Sequence, residues 1–561
     1  NFVALAMLNY IIKTIKIHRS YLNIMKKITF FIVLLSSFLA NAQEDAWVYF
    51  NDKPDAAFFL ANPLEMLSQR ALERRTAQNI ALDNKDVPIS ENYINQITAS
   101  SGIMVKAKSK WLNALHVRGS IGNIQNLANL SFVNHVEFAN RNLNVAGRNA
   151  DQTEFNAVNK TLETLVDFQY GSSSNQIQML NGHLLHQQNY TGTGKIIAVL
   201  DAGFPGVNTI SPFQRIRTNN QILGGYNFVG RNENFYTGGT HGTMVLSTMA
   251  GYVANQLVGT APDASYYLFI TEDVSSENPL EESNWVEAAE MADSLGVDIL
   301  NTSLGYFGYD NPNYSHTYAD MNGTTAFISR GAEIAFSRGM ICVVSAGNSG
   351  NSDDPYISAP ADAVNALAIG AVTASRNYAT FSSIGPSFDG RIKPDVMAQG
   401  QASVISDTSG NIGVANGTSF SGPITAGMVA CLWQALPNKT NAQIMQVIKE
   451  SAHLYATPNP QFGYGIPDFS LALQKALGIS DFAKNTLIVY PNPSNDIVNL
   501  ASKEDFESAN ILLFNSLGQQ VLNVELQKSN PSFSVETLAS GIYYYKINSG
   551  KNSQTGKLIK K

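Results

Sequence analysis

Apolar runs at 196–200, 267–270, 297–300, 341–344 and 366–369, unbroken except for Asp298, constrain the fold of this chain more than any other feature. A run that is apolar at every position, rather than at alternate ones, fits a strand buried on both faces of a parallel sheet. Between the runs lie segments of helical period, 285–295 (Trp285, Ala288, Ala289, Ala292, Leu295) and 328–338. Each is followed by a glycine, Gly296 and Gly339, in the position that stops a helix. Strand and helix in alternation predict right-handed crossovers and an α/β fold with a doubly wound, mostly parallel sheet. Sites in such folds form at the carboxyl ends of the strands.

The flanks read differently. Residues 46–139 carry strand patterns at 46–50, 103–108, 114–118 and 132–138 and helical ones around 64–78 and 120–129, a small α+β module. Within it, Glu73-Arg74-Arg75 reads as a solvated helix face. A polar stretch rich in Asn, Gln and Ser between 140 and 180 reads as a linker. After about 480, short alternating strands at 487–490, 511–514, 521–524 and 542–547 predict a small all-β sandwich.

Met25-Lys26-Lys27, an apolar run at 28–39 and Ala40-Asn41-Ala42 form a charged n-region, a short h-region and an A-x-A cleavage site, the pattern of a signal peptide. The apolar run falls short of the ~20 residues a membrane span needs, so no stable span is expected. Residues 1–24 precede this better start and read as an over-extended leader. Acidic residues outnumber Lys plus Arg by 44 to 37, for a net charge of −7, which argues against nucleic acid as a partner. The two cysteines are too few to staple a chain of 561 residues; Cys342 in a buried strand and Cys431 in an apolar helix read as buried thiols.

Three strand ends or helix starts carry nucleophile chemistry. Asp201 closes the run 196–200, His241 sits in Gly239-Thr240-His241-Gly242-Thr243, and Ser419 sits in Gly417-Thr418-Ser419-Phe420-Ser421-Gly422-Pro423. A serine hydroxyl is a weak nucleophile until an imidazole takes its proton, and the imidazole needs a carboxylate to fix its tautomer and stabilise the imidazolium. Pro423 reads as a first-turn residue of the helix after Ser419, where a missing N–H costs little. Asn348, in Ser345-Ala346-Gly347-Asn348-Ser349-Gly350 after the run 341–344, offers an amide donor to an oxyanion, worth on the order of 3 kcal/mol in the transition state.

The chain order Asp, His, Ser and the segments Val199-Leu200-Asp201, His241-Gly242-Thr243 and Gly417-Thr418-Ser419 resemble those of the subtilisin-like serine proteases. The resemblance covers roughly 180–475. It implies Asp201, His241 and Ser419 as a triad, Asn348 as the oxyanion donor, and Ser303-Leu304-Gly305 after Asn301-Thr302 as a strand that pairs with substrate. Ser345, Ala346 and Gly347 would form the facing wall of the first specificity pocket. Ala202, Phe420 and Gln399 depart from the family's usual Thr or Ser, Met and Pro, and none of them removes a proton-transfer group.

The module at 46–139 resembles the inhibitory propeptides of that family, which implies a zymogen cut somewhere in 139–160. The tail resembles the C-terminal sorting domains of type IX secretion in Bacteroidetes, through Tyr490-Pro491-Asn492-Pro493, Asn515-Ser516-Leu517-Gly518-Gln519, Leu538-Ala539-Ser540-Gly541-Ile542-Tyr543 and Gly556-Lys557-Leu558-Ile559-Lys560-Lys561.

The expected organisation is a leader at 1–24, signal peptide at 25–42, propeptide at 43–148, peptidase domain at 149–479 and sorting sandwich at 480–561. The expected function is a secreted serine endopeptidase that passes through the periplasm to the cell surface or beyond. Its partners are protein or peptide substrates, its own propeptide and the type IX machinery. A catalytically silent surface-binding protein and an esterase on the same fold are the competing readings. No cofactor is required and no metal is assigned: Asp353, Asp354 and Asp389 could ligate structural calcium, but loop carboxylates are more often solvated.

Overall fold

The computed structural model describes residues 43–144, 168–477, 487–502, 507–549 and 552–561, with Met7, Met25 and Lys26. The apolar core of the signal segment, nearly all of the leader and the linker from 145 to 167 lie outside the described residues. The chain divides into two compact units, Asn1–Ala472 and Leu473–Lys561.

The first unit opens with an antiparallel sheet of β1 (Gln43–Phe50), β2 (Ile103–Ser109), β3 (Ala114–Ser120) and β4 (Val133–Phe138), in the order β2-β3-β1-β4. Residues of β1 alternate between two cores. Ala46, Val48 and Phe50 pack with Ile97, Leu115 and Ile124 inside the module, while Trp47 and Tyr49 join the core of the domain that follows. That double burial explains why the strand is apolar at every position from 46 to 50. Among the helices that accompany the sheet are α1 (Gln69–Ala77), capped by Ser68 accepting from the Ala71 amide (3.2 Å), and α2 (Glu91–Thr98).

Seven parallel strands form the central sheet. They are β5 (Ile196–Asp201), β6 (Ile222–Asn227), β7 (Ser265–Ile270), β8 (Ile299–Thr302), β9 (Ile341–Ser345), β10 (Leu367–Val372) and β11 (Val396–Gln399), in the order β11-β10-β9-β8-β5-β7-β6. The strand order reverses around β5, the switch point of a doubly wound sheet. The helices that position the site are α3 (His241–Ala250), α4 (Leu280–Leu295), α5 (Phe327–Ser337) and α6 (Thr418–Ala435). Helices α4 and α5 share one core with Ala198, Leu200, Leu300, Cys342 and Val344. Helix α6, buried all round as its apolar sequence requires, packs with α3 and against β8, β9 and β10.

Of the solvated face expected at 73–75, Glu73 is exposed, but Arg74 and Arg75 form a buried junction instead. Arg74 and Arg75 are buried and both pair with Asp293 of α4, Arg75 at 2.7 Å, and Arg75 also pairs with Asp86 at 2.8 Å. Three charged residues in a row say nothing of what lies opposite, and here a carboxylate on a separate segment draws two of them inward. Around this junction the module rests on α4 and α5. Trp47 donates to Ser283 (2.8 Å) and stacks on Phe327 (4.8 Å between ring centroids). Glu290 accepts from the Ser109 hydroxyl (2.6 Å) and from the Trp111 amide (2.9 Å).

The second unit holds β12 (Leu487–Tyr490), β13 (Ile497–Ser502), β14 (Ser508–Phe514), β15 (Gln520–Gln527), β16 (Ser532–Ser534), β17 (Gly541–Ser549) and β18 (Asn552–Lys560). They form two antiparallel sheets, β12-β13-β16 and β15-β14-β17-β18, around Val498, Ile511, Leu513, Val535, Ile547 and Leu558. Among the described residues no helix is long and apolar enough to cross a membrane.

Candidate active site

Asp201 ends β5, and its fully buried carboxylate accepts from the Ala202 amide (2.7 Å) and meets His241 Nδ1 at 2.8 Å through the same oxygen. His241 is the first residue of α3. Gly242 behind it allows the close approach: a β-carbon there would lie 2.5 Å from the Gly203 carbonyl oxygen and 3.0 Å from Asp201 Cβ. The Asp201 charge raises His241 above its ordinary value of 6.5; burial opposes this, and the hydrogen bond and the charge of Glu272 add to it. The Asp201–His241 pairing leaves Nε2 as the ring nitrogen for proton transfer.

Ser419 stands in the first turn of α6, where the helix dipole favours negative charge. The next residue, Phe420, brings its ring to 6.0 Å from that of His241. The Ser419 hydroxyl donates to the Ser303 carbonyl (3.3 Å), not to the imidazole, and Ser303 Oγ donates to the Ser419 carbonyl in return (3.0 Å). Helix α6 begins at Thr418, so Pro423 lies beyond the first turn expected for it. The N–H it lacks is the one that would bond to the Ser419 carbonyl, four residues back. Ser303 supplies that missing donor.

Asn348 follows β9 and is exposed. Its side-chain oxygen accepts from the Thr418 amide (2.9 Å) and lies 3.1 Å from the Thr418 hydroxyl. A backbone N–H can only donate, which fixes the amide orientation and turns Nδ2 the other way. A β-carbon on Gly417 would be 3.7 Å from both Asn348 Nδ2 and Ser419 Cβ, so the amide nitrogen and the hydroxyl-bearing residue flank one gap. Gly347, at φ +112°, turns the chain into this position, and its amide donates to the Thr418 hydroxyl (3.2 Å). Thr418 thus ties the Asn348 loop to the helix that carries Ser419, a role that its place beside Ser419 in the sequence did not disclose.

Of the expected substrate-binding residues, Ser303 is buried against Ser419, Leu304 is half-buried and Gly305 is exposed. Ser345 is buried with its hydroxyl 3.4 Å from the Thr302 carbonyl, and Ala346 lies within the core. His186 is buried between the Tyr170 hydroxyl (2.8 Å) and the Thr260 carbonyl (3.0 Å). Cys342 and Cys431 are free and buried. Of the expected calcium candidates, Asp389 pairs with Arg391 (2.7 Å). Among the described residues, the group whose spacing could hold a cation is Glu272, Glu277 and Glu281, with carboxylate oxygens within 4.8 Å of one another.

Residues 192–465 match the subtilase family. Subtilisin NAT of Bacillus subtilis subsp. natto is 31% identical over 303 residues, 53% of this chain and 70% of that protein. The subtilisin of Bacillus pumilus is 30% identical over 303 residues, covering 98% of its length. The chain belongs to the subtilase family. Subtilases of this kind are serine endopeptidases, and the seven-stranded parallel sheet flanked by helices is their fold. Residues 45–157 match the peptidase S8 propeptide domain of Bacteroidota, and residues 488–561 match a secretion system C-terminal sorting domain. This subtilase is therefore a secreted zymogen that carries its own propeptide and a type IX sorting domain directing it to the outside or the cell surface.

Proposed function

We propose that the protein hydrolyses peptide bonds of protein substrates through an acyl-enzyme, with Ser419 as nucleophile, His241 as general base and then acid, Asp201 as its orienting carboxylate and Asn348 as oxyanion donor. The observation that carries this reading is the 2.8 Å contact between His241 Nδ1 and the buried Asp201 carboxylate, at the sheet's carboxyl edge beside the N-terminus of α6.

In this reading the Ser419 hydroxyl turns from the Ser303 carbonyl to His241 Nε2 by rotation about χ1, since catalytic hydrogen bonds often tighten only around substrate. As Oγ attacks the scissile carbonyl, its proton passes to Nε2, and the Asp201 charge stabilises the imidazolium. The new oxyanion meets Asn348 Nδ2 and the first-turn N–H groups of α6. His241 returns the proton to the departing amine, and water repeats the sequence to release the acid. Substrate backbone pairs with Ser303-Leu304-Gly305 on one side and Ser345-Ala346-Gly347 on the other. The chemistry needs no cofactor. The propeptide, cut after folding, holds the enzyme inactive until it is released.

The test compares the precursor with its Ser419→Ala variant, following propeptide release on a gel and hydrolysis of an unstructured protein. Wild type alone should do both, and a serine-directed phosphonate should block it. Two folded proteins that do neither would overturn the reading in favour of a surface-binding protein. Cleavage of esters without cleavage of peptides would mark an esterase.

A further inference from the structure

Glu272 stands at the catalytic edge of the sheet, and no step of the reaction above uses it. Parallel pairing sets Ile270 of β7 beside Asp201 of β5, and the Thr271 amide donates to the Asp201 carbonyl (3.0 Å), so the chain delivers Glu272 next to the triad carboxylate. The same segment lies against the loop that leads into His241: a β-carbon on Gly239 would sit 3.0 Å from Val274 Cγ1 and 3.1 Å from Ala202 Cβ. On its other side Glu272 accepts a hydrogen bond from the Tyr306 hydroxyl. Tyr306 is buried one residue past Gly305 and exchanges backbone hydrogen bonds with Ala359 (2.8 and 3.1 Å), so this anchor is rigid.

We propose that Glu272 is a positioning residue for the Asp201–His241 pair, a second carboxyl group anchored by Tyr306 that favours the imidazolium formed at each proton transfer. The proposal rests on His241 being the general base. The ionisable groups around Glu272 are Asp201 from β5, His241 from α3, Glu277 before α4, Glu281 in the first turn of α4, and Tyr306 and Tyr309 from the segment after β8. Burial pushes Glu272 up to about 8; the Tyr306 hydrogen bond opposes this, Glu277 and Asp201 add to it, and His241 lowers it. The charge of Glu272 raises His241 and that of His241 lowers Glu272, so the two titrations are linked. An ionised Glu272 holds the proton on the imidazole, and a neutral one releases it.

The test follows the His241 ring by NMR in the full-length Ser419→Ala precursor with isotope-labelled histidine, the signal assigned by its absence from the His241→Ala precursor. It needs no turnover, so it separates this proposal from the catalytic reading. Glu272→Gln should lower the midpoint of the His241 titration by on the order of one pH unit. Tyr306→Phe, which keeps the carboxyl group but removes its anchor, should lower it by less. In the mature enzyme the acid limb of kcat/KM should move with the ring, while KM for an uncharged peptide holds. A midpoint unchanged in both variants overturns the proposal. If Glu272→Gln does not fold, the loss of one oxygen in Tyr306→Phe decides alone. A folded wild type that never processes itself would refute the catalytic reading, while the ring titration would still decide the role of Glu272.

Discussion

Arg75 of the propeptide and Asp293 of the peptidase are joined by two hydrogen bonds, at 2.7 and 2.9 Å, with both side chains buried. Arg74 meets the same carboxylate, and Asp86 accepts from the same Arg75 nitrogen (2.8 Å). Burial alone would raise Asp293, but the two guanidinium groups outweigh it and hold the acid below its ordinary 3.8.

Removing that acid should leave two guanidinium groups buried without their shared partner. Asp293→Asn, made in the Ser419→Ala precursor so that processing does not intervene, is expected to cost about 3–5 kcal/mol of stability in denaturant unfolding. Arg70 pairs with Asp298 at 2.6 Å, but its side chain is 39% exposed, and Arg70→Ala should cost no more than about 1 kcal/mol. Equal losses would show that burial does not set the strength of this junction.

The same pair gives a pH expectation. A depressed acid contributes stability above its unfolded value of 3.8 and loses it as pH falls through the still lower folded value. The part of the precursor's stability that disappears in Asp293→Asn should therefore be constant from pH 8 to 5 and shrink only below about 4. Loss of the difference near pH 6 would mean that another group controls the junction.

How much of this was readable in advance depended on whether a feature is local. Five of the seven central strands announced themselves because burial on both faces leaves few polar positions; β6, a partly exposed edge strand with two glycines, and the short edge strand β11 did not. Gly296, at φ +84°, stops α4 where a left-handed residue was needed. Asp201, His241, Asn348 and Ser419 drew attention as candidates because each sits near a strand end or helix start with a glycine one or two residues away. Helix α2 escaped notice, since Glu91–Thr98 is a short segment in which Ile97 is the one buried residue. The fate of Arg74 and Arg75, the Thr418 tie to Asn348 and the approach of Glu272 to the site each depend on a partner remote in sequence. Periodicity carries no information about such partners.

For catalysis, a raised His241 means that the neutral base is lost early on acidification. The kcat/KM of the mature enzyme should fall with a midpoint above 6.5. Asp201→Asn should place the imidazole in the wrong tautomer and lower kcat by about 10⁴-fold with little change in KM. A loss confined to KM would show that Asp201 serves substrate binding and not the base.

The oxyanion assignment separates geometry from chemistry at two neighbouring positions. Asn348→Ala should reduce kcat by about 10²–10³-fold, and because it removes the acceptor of the buried Thr418 amide it should also cost about 1–3 kcal/mol of stability. Gly347→Ala keeps the amide but forces a β-carbon into the left-handed region at φ +112°, 2.7 Å from Ser383 Oγ. It should lower both Tm and kcat. An Asn348→Ala enzyme with full kcat would remove this residue from the transition state.

Pro423 and Ser303 together make the sharpest test of how the nucleophile is held. Pro423 withholds the N–H that a helix would give to the Ser419 carbonyl, and Ser303 Oγ fills the vacancy at 3.0 Å. Ser303→Ala alone should strand that buried carbonyl, at about 1–3 kcal/mol. In a Pro423→Ala background residue 423 regains its N–H and can bond to Ser419 along the helix, so the same Ser303→Ala change should cost clearly less. The coupling in this double-mutant cycle, read by denaturant unfolding of the Ser419→Ala precursor, should be on the order of 1 kcal/mol. Strict additivity would mean that the Ser303 bond and the missing N–H are unrelated, and that Pro423 acts on the helix through its ring alone.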